Sequence, residues 1–441
     1  MKVLLINPHV SDKYDLGTNI IPLGLAYVGT ALERAGKDIE VLDIFINRLS
    51  MDEVKRKLEE LLFSSTWVGI TGIINGFNYI QWLCRLIKKI KPDVPIVLGG
   101  PICTPNPNLL LKSVEADICC IGDGEETIME LSRVFDQDMN ILDVKGIFFK
   151  EGGKLHNNGA RSLEKNLKYY DFPAWDLFDV QRYLKSPGIL KSKPAMHLIG
   201  SRGCPFACRF CSTSNKTIRR RTAESVVQEI EILYAKYNID HFEFVDEFFF
   251  FNEKSLVDFC DTLLKKEIKI TWFALGRANV VDKFSIESLQ LLKKSGCNWM
   301  GMGVESGSQK ILDAMNKGIT VEVSASVIKK LRDCGIMPAC SFIIGYPGET
   351  EDTIRETIEF CKDNLFPSVR FNYLTPIPGS PVYEEALKKG FIKDEIEYWK
   401  AIETPFHERL IVNMTSMPED ELVKHKINGE QEVKDSYLQR K

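Results

Sequence analysis

Three cysteines at CxxxCxxC spacing are the residues most suited to chemistry in this chain. Cys204, Cys208 and Cys211 follow directly on the apolar run 196–199. Four thiolates would complete the coordination of a [4Fe-4S] cluster, whereas three leave one iron open for a small-molecule ligand. The spacing therefore predicts a cluster at which chemistry takes place.

A zinc site and buried structural thiols are the two plainer interpretations of these cysteines. Structural zinc usually takes four ligands arranged in pairs, and the sequence has no second CxxC and no close HxxxH. Buried thiols usually have apolar neighbours, but Arg202, Gly203 and Arg209 lie around these three. The cluster is the better interpretation.

Length and composition describe an ordinary globular protein. The chain has 441 residues, of which 44% are hydrophobic, and a net charge of −4, so two or three domains are expected and neither nucleic acid nor an anionic membrane is favoured as a partner. The first apolar run stops at Asn7-Pro8, and no run approaches the ~18 apolar residues of a membrane span. Twelve cysteines without a paired pattern fit a reducing compartment. We expect a cytoplasmic protein without a membrane span.

Residues 1–145 alternate between apolar strand patterns and amphipathic helix patterns, which predicts a parallel, doubly wound, Rossmann-like sheet. Ligands of such sheets bind outside the carboxyl ends of the strands. Glycines there let backbone approach a bulky ligand, although each could simply be a tight turn. No GxGxxG follows the first strand, which disfavours a dinucleotide. The candidate ligand-binding residues at these ends are Thr71, Gly72, Gly99, Gly100, Gly122, Gly124 and Glu125.

The rest of the chain divides into three parts. Residues 146–192 are predicted to be a linker that starts with a hairpin at Gly146–Lys154. Residues 193–390 contain six strand patterns that alternate with helices, which predicts a partial (β/α)6 barrel of the TIM type. Residues 391–441 are charged and helical in pattern, and they carry no motif.

These features together resemble the radical S-adenosylmethionine (SAM) enzymes that carry an amino-terminal cobalamin-binding domain. The cysteine motif has Phe210 just before its last cysteine, and Gly345–Thr350 matches the GxPGE loop of the family. Three further segments match its cobalamin-binding domain: Pro22–Leu25, VLGGP at 97–101 and IGDGEE at 121–126. The motifs occur in family order over about residues 1–390. One departure is the absence of DxHxxG, which leaves the lower cobalt ligand open. His9 is a weak candidate, because its surroundings do not match that motif.

The resemblance also implies roles for polar residues at the ends of the barrel strands. Asp246 and Glu247 would meet the amino group of SAM, Arg277 its carboxylate, and Glu305 its ribose. The remaining residues of this set, by the same resemblance, are Ser306, Gly345 and Pro347. Taken singly, each of these residues could be a helix cap or part of an ion pair.

The implied activity is that of a cobalamin-dependent radical SAM methyltransferase. An electron, supplied by a flavodoxin- or ferredoxin-type donor, would let the [4Fe-4S] cluster cleave SAM to a 5′-deoxyadenosyl radical. Methylcobalamin would then methylate an unactivated carbon or phosphorus of a small-molecule, peptide or protein substrate. Three rival interpretations are a radical cyclase or rearrangement enzyme with the same two domains, a methylthiotransferase, and a cobalamin sensor.

A basic run, Arg219-Arg220-Arg221, lies between the cysteine loop and the next helix pattern. Charge runs of this kind usually form a solvated face, so the sequence predicts an exposed lead-in to the helix. The second interpretation is binding of an anionic substrate or of the reductase.

Overall fold

The computed structural model describes residues 2–9, 19–167, 171–185, 188–189, 193–212, 215–403 and 406–440. The chain forms two compact units: Met1–Pro194 with Asp394–Thr404, and Ala195–Lys393 with Pro405–Lys441. We call them unit 1 and unit 2. The domain boundaries expected near residues 145, 192 and 390 stay predictions. Parts of the predicted linker, residues 168–170, 186–187 and 190–192, lie outside the described residues.

Unit 1 is built on a seven-stranded sheet with the order β2-β1-β3-β4-β5-β6-β7. Strands β1 to β5 pair in parallel, and β6 and β7 pair antiparallel. The strands are β1 Lys2–Asn7, β2 Asp38–Asp43, β3 Ser65–Thr71, β4 Ile96–Gly99, β5 Ile118–Cys120, β6 Ile147–Glu151 and β7 Lys154–Asn157. The chain moves from β1 to β2 on one side and to β3 on the other, so the strand order reverses between β1 and β3, the place where ligands of such sheets bind.

The helices of unit 1 connect these strands. They are α1 Leu23–Arg34, α2 Ile44–Asn47, α3 Met51–Ser64, α4 Phe77–Ile90, α5 Pro107–Ser113, α6 Glu125–Phe135, α7 Val180–Tyr183 and α16 Glu395–Ala401. Residues 3–6 of β1 are fully buried, as expected for a parallel strand covered on both faces. The predicted doubly wound sheet is confirmed.

The predicted hairpin is confirmed, and it extends the sheet of unit 1. Strand β6 pairs antiparallel with β5 and then with β7. Gly152 and Gly153 form the turn with positive φ angles of 55° and 77°, a conformation that favours glycine.

Helix α16 belongs to unit 1 although it follows the barrel region in the sequence. The ring of Trp399 packs edge-on against Phe77, with centroids 5.6 Å apart, and both side chains are buried. The Asn78 amide donates to the Lys400 carbonyl at 2.9 Å and to the Glu403 carboxylate at 2.6 Å. The core of unit 1 is therefore completed by a segment that comes after most of unit 2.

Unit 2 contains a six-stranded sheet with the order β15-β14-β13-β12-β11-β8, paired in parallel throughout. Its strands are β8 Met196–Leu198, β11 His241–Phe244, β12 Thr271–Gly276, β13 Cys297–Glu305, β14 Met337–Ile344 and β15 Phe371–Tyr373. A short antiparallel pair, β9 Ser201–Arg202 and β10 Arg219–Arg220, encloses the cysteine loop. The predicted partial barrel of six strands is confirmed.

Helices follow each strand of this sheet, and a long helix ends the chain. They are α8 Ala223–Tyr237, α9 Glu253–Leu264, α10 Ala278–Val281, α11 Ile286–Lys294, α12 Gln309–Ala314, α13 Val321–Asp333, α14 Glu351–Asp363, α15 Pro381–Lys388 and α17 Glu419–Gln439. The hydroxyl oxygens of Thr222 and Thr350 cap α8 and α14 by accepting from the backbone amides of Ser225 and Thr353. Among the described residues, no helix is long and apolar enough to cross a membrane.

The exposed lead-in predicted for the arginine run is wrong. Arg219 and Arg221 are only 4% and 8% exposed. Arg221 forms an ion pair with buried Glu229 and donates to the carbonyls of Ile199, at 3.0 Å, and Ser225, at 2.9 Å. The Glu229 carboxylate and the two carbonyls compensate the buried charge of Arg221. The sequence alone does not reveal these contacts.

We predict that Arg221→Gln destabilises unit 2 by about 3 kcal/mol, because it leaves the Glu229 carboxylate buried without its cation. Hydrogen exchange measured on peptides of α8 by mass spectrometry, across a denaturant series, gives this change in free energy. Arg355→Gln removes an arginine from an exposed ion pair with Glu432 and should cost less than about 1 kcal/mol. Equal effects of the two substitutions would contradict the prediction.

Candidate active site

The loop that carries the three cysteines is fixed by backbone contacts. Gly203 has a φ of 90°, and a Cβ there would lie 2.4 Å from the Thr217 carbonyl oxygen, so only glycine fits. The Cys204 amide donates to the Asn215 carbonyl at 3.0 Å, and the Arg209 amide donates to the Met315 carbonyl at 2.9 Å. The loop is therefore anchored both to the segment that leads into β10 and to the segment after α12.

The three thiols lie close enough to influence one another electrostatically. Cys208 is buried, whereas Cys204 and Cys211 are partly exposed. Burial raises the pKa of the Cys204 thiol, and the nearby Cys211, Glu247 and Cys208 raise that pKa further. Because metals bind thiolates, a cation or a metal must offset this repulsion. This convergence fits a cluster held by three cysteines.

Arg277, predicted from sequence, contacts the cysteine loop directly. It stands at the end of β12, and its Nη1 donates to Cys208 Sγ at 3.4 Å. The guanidinium lies over the Phe206 ring, 3.8 Å from the centroid, and Nε donates to Asn279 Oδ1 at 3.1 Å. A positive charge is thus held beside the thiols. Its contact with the carboxylate of SAM stays a prediction.

Glu305 is paired with a lysine that sequence reasoning missed. Lys317 Nζ lies 2.8 Å from Glu305 Oε1, and both residues are buried. The same ammonium lies 5.5 Å from the centroid of Phe210, on the cysteine loop. Lys317 follows a short helix without any motif, so no sequence signal distinguishes it from a surface lysine. The predicted contact of Glu305 with ribose is untested.

The Gly303–Ser308 segment is shaped by contacts within unit 2. A Cβ on Gly303 would lie 2.0 Å from Glu305 Oε1, and one on Gly307 would lie 2.7 Å from backbone atoms of α14. The Ser306 hydroxyl, predicted as a ligand-binding group, pairs with the Thr357 hydroxyl at 3.1 Å and accepts from the Ser308 amide. These glycines therefore allow the strand end to pack against α14, and Ser306 fixes that packing.

The two acidic residues after β11 have different surroundings. Asp246 is 2% exposed, and its two oxygens accept from the Gly200 amide at 3.1 and 3.0 Å. Burial raises the pKa of Asp246 to about 6, while hydrogen bonds to Ser201 and Gly200 oppose that shift. Glu247 is exposed and acts electrostatically on Cys204. Of the pair, Glu247 is better placed to meet an amino group near the cysteines.

The Gly345–Thr350 loop is held together by its own glutamate. The Glu349 carboxylate accepts from the Gly345 amide, and Gly345 has a φ of 87°. Glu349 is 1% exposed, and burial raises its pKa to about 8. Pro347 is partly exposed between them. The carboxyl group shapes the loop, whereas the predicted contacts of Gly345 and Pro347 with SAM are untested.

In unit 1, Thr71, Gly72 and Gly100 are packed against one another. A Cβ on Gly100 would lie 2.6 Å from the Gly72 carbonyl oxygen and 3.0 Å from Thr71 Oγ1. A Cβ on Gly72 would lie 2.3 Å from the Ile80 side chain. These two glycines are required by the close approach of β3 and β4, with or without a ligand.

Gly99 and Gly122, by contrast, border open space at the strand ends. A Cβ on either would meet no atom of the described residues within 4 Å, and Gly99 has an ordinary φ. Gly124 lies near Val28, and Glu125 begins α6 with only 4% of its surface exposed. Free space beside glycine backbone at the edge where ligands of such sheets bind fits a bulky cofactor. Their contact with cobalamin stays a prediction.

The carboxyl ends of β1 and β2 are joined by a network that the sequence did not reveal. The Asn7 amide donates to Asp43 Oδ1 at 2.8 Å and to the Tyr183 hydroxyl at 3.1 Å. The Tyr183 hydroxyl donates to Asp43 Oδ2 at 2.5 Å. The ring centroid of His9, two residues after Asn7, lies 5.9 Å from those of both Phe45 and Tyr79. Its role as a cobalt ligand is untested.

Comparison with known proteins agrees with this architecture. The sequence model of the radical SAM superfamily matches residues 198–361, and that of the B12 binding domain matches residues 15–132. The chain is also 31% identical over 398 residues to the uncharacterized methyltransferase PH0819 of Pyrococcus horikoshii, covering 89% of this chain and 84% of that protein. The chain belongs to the family of cobalamin-dependent radical SAM enzymes. The three predicted cofactors, a [4Fe-4S] cluster, SAM and cobalamin, are those of this family.

Two further relatives carry different activities in their names. The anaerobic magnesium-protoporphyrin IX monomethyl ester cyclase of Rubrivivax gelatinosus is 29% identical, with 90% of this chain and 72% of that protein covered. The cytidylyl-2-hydroxyethylphosphonate methyltransferase of Streptomyces wedmorensis is 26% identical, with 89% and 83% covered.

Among solved structures, the cobalamin-dependent SAM radical enzyme OxsB, with aqua-cobalamin and SAM bound, has the same fold. The TM-score is 0.71 at 21% identity. The match covers 94% of this chain and 58% of the OxsB chain, so this chain spans little more than half of that protein.

We predict that replacing Cys204, Cys208 and Cys211 together with alanine removes nearly all cluster iron, because these are the thiols that the loop supplies to the site. Iron analysis and the electron paramagnetic resonance spectrum of the reduced, anaerobically reconstituted protein measure the loss. Cys361→Ala, at a buried thiol in α14, should keep the iron content unchanged. A full cluster in the triple variant would overturn the assignment.

Glu349 predicts a pH dependence of stability. Its pKa of about 8 in the folded chain lies above the ordinary 4.5, so the folded state holds a proton that the unfolded state releases. The resulting stabilisation is complete below about pH 4.5 and is lost as pH rises through about 8. Glu349→Gln mimics the protonated side chain. From about pH 4.5 to 8, the free energy of unfolding of this variant should therefore fall less than that of the unmodified chain, with a difference on the order of a few kcal/mol.

Thermal unfolding of both proteins at a series of pH values tests this expectation. The matched control is Glu351→Gln, at the exposed first residue of α14. It should keep the pH profile of the unmodified chain. Parallel profiles for Glu349→Gln and the unmodified chain would show that the carboxyl is ionised in the fold.

Proposed function

We propose that this enzyme transfers a methyl group to an unactivated carbon, or to phosphorus, of a small molecule or peptide. The observation that carries the proposal is the presence in one chain of two separate sites. One is a loop of three thiols beside a buried cation, and the other is a glycine-bordered space at the strand ends of a doubly wound sheet. When bound, the cluster supplies the electron that cleaves SAM, and cobalamin carries the methyl group.

The residues of unit 2 would position SAM beside the cysteine loop. Arg277 supplies a guanidinium next to Cys208 for a carboxylate, and Glu247 supplies an exposed carboxylate near Cys204 for an amino group. Lys317 binds one oxygen of Glu305 and leaves the other for a hydroxyl pair. This order of charges complements the polar groups of SAM.

Phenylalanines near the cysteine loop would keep water away from reactive species. Phe206 packs edge-on against Phe248, with ring centroids 5.2 Å apart, and Phe248 is 3% exposed. An apolar wall on this side of the loop limits quenching by solvent. In this proposal, an electron donor of the flavodoxin or ferredoxin type reduces the cluster.

Radical cyclisation is the second candidate. The 29% identity to a cyclase extends over 90% of this chain, whereas the 27% identity to a putative methylthiotransferase extends over 75% of it, and this longer match supports the cyclase. Both methyl transfer and cyclisation would use the same two sites, so the geometry of the sites does not separate them and the fate of the methyl group does.

We predict that methyl transfer consumes two SAM molecules per turnover and yields one 5′-deoxyadenosine and one S-adenosylhomocysteine. SAM labelled in its methyl group, a strong reductant and extracts fractionated as candidate substrates should give labelled product in proportion to 5′-deoxyadenosine. Formation of 5′-deoxyadenosine with consumed substrate and no label in the product would replace this proposal with the cyclase.

Gly99→Leu tests whether unit 1 binds cobalamin. Its side chain would fill the open space without backbone strain, so corrin binding should fall at least tenfold while cluster iron is unchanged. Label should then be absent from the product although SAM is still cleaved. Full corrin occupancy in this variant would place cobalamin elsewhere.

A further inference from the structure

The cysteine loop begins where the parallel ladder of unit 2 ends. Strand β8 stops at Leu198, and its neighbour β11 stops at Phe244, the register partner of Leu198. One more backbone hydrogen bond, from the Val245 amide to the Leu198 carbonyl at 3.0 Å, follows this pair. Residues 199–203 therefore need contacts other than the ladder to hold a fixed path to Cys204.

Asp246 supplies such a contact at the point where the ladder stops. Both of its carboxylate oxygens accept from the Gly200 amide, at 3.1 and 3.0 Å. The Ser201 amide also donates to this carboxylate, while the Ser201 hydroxyl donates to the Phe248 carbonyl at 3.0 Å. Two successive amides that lead into the cysteine loop thus share one carboxylate, and hydrogen bonds to an ionised acceptor are the strong ones.

The opposite side of Gly200 is held as well. The Arg221 amide donates to the Gly200 carbonyl at 2.9 Å, and Arg221 Nη1 donates to the Ile199 carbonyl at 3.0 Å. A Cβ on Gly200 would lie 2.8 Å from the Phe249 ring, so the backbone has little room to shift. Arg221 fixes the carbonyls of this segment and Asp246 fixes its amides.

The surroundings of Asp246 leave it poorly placed to meet a ligand. The residue is only 2% exposed, and both oxygens already accept from backbone amides. Burial raises its pKa to about 6, so the carboxylate is still ionised at neutral pH. A buried carboxylate is costly without its hydrogen-bond donors, and the two amides in turn depend on this acceptor.

We propose that Asp246 is a positioning residue for the cluster, acting through the backbone of Gly200 and Ser201 to hold the start of the cysteine loop. It fixes where the Cys204 thiol stands, and contact with SAM is not part of this role. The inference rests on the cluster that the proposed function uses. It does not rest on methyl transfer, because it concerns the chain before SAM or a substrate binds.

Iron release to a ferrous chelator, from the full chain reconstituted anaerobically and kept free of SAM at about pH 8, tests the proposal. Asp246→Asn has the same size, but it offers one acceptor oxygen in place of two. It should release iron about tenfold faster and change the electron paramagnetic resonance spectrum of the reduced, SAM-free cluster. Asp258→Asn, in an exposed ion pair with Lys254, should behave like the unmodified chain.

Two further measurements separate positioning from other roles. Hydrogen exchange of peptides from α13 should be unchanged in Asp246→Asn, because the effect is local to the start of the loop. Faster exchange there, in parallel with iron release, would mean a general loss of stability and would overturn the proposal. Normal iron release combined with a raised KM for SAM would also overturn it, because Asp246 would then be a ligand of SAM.

Ser201→Ala provides a second variant that keeps the Asp246 carboxylate. It removes the hydrogen bond from the Ser201 hydroxyl to the Phe248 carbonyl and should speed iron release about threefold. If Asp246→Asn does not fold, this variant decides, and unchanged iron release in it would overturn the proposal. A failure of the proposed function has a different signature, since absence of label transfer leaves these rates of iron release as they are.

Discussion

The negative charge of three thiolates in one short loop is the constraint on which the candidate active site depends. Water screens such charges poorly once Cys208 is buried, so positive groups must stand close by. The fold supplies Arg277 from the end of β12 and Lys317 from the segment after α12. Each cation lies over an aromatic ring of the loop itself, Phe206 and Phe210. The loop therefore supplies both the thiols and the surfaces on which their counter-charges rest.

Glycines serve two different purposes in the two units. At Gly303 and Gly307 the end of β13 packs so closely against the Glu305 carboxylate and against α14 that a Cβ would not fit. These two glycines are therefore needed for packing within unit 2. Gly72 and Gly100 in unit 1 are likewise needed for packing, because a Cβ on either would clash with neighbouring atoms. For Gly99 and Gly122, on the same sheet edge, the described part of the chain places no atom within 4 Å of where a Cβ would be. Only Gly99 and Gly122 leave room for a ligand, so of the glycines predicted to contact cobalamin these two are the better candidates.

Sequence patterns predicted the sheets, the cysteine loop and the strand ends because these follow from local periodicity and from short motifs. They also placed Arg277 and Glu305 at the ends of barrel strands, and the family resemblance assigned both to the SAM site. What they could not provide was pairing across elements. Lys317 stands beside Glu305 through the packing of the segment after α12, and the arginine run is buried because Glu229, one turn beyond Ser225, faces it. Burial and pairing depend on three-dimensional contacts that no stretch of the chain encodes alone.

The placement of α16 makes the sheet of unit 1 dependent on a late part of the chain. Helix α16 packs against α4 and against the turn Ile74–Gly76, which comes shortly after Thr71 and Gly72 at the end of β3. Trp399 is fully buried there, and losing a buried tryptophan costs about 3–5 kcal/mol. A chain cut after residue 194 would expose Phe77 and loosen the strand end proposed for cobalamin. The strand-end edge proposed for cobalamin therefore takes its final shape only after the barrel region has been synthesised.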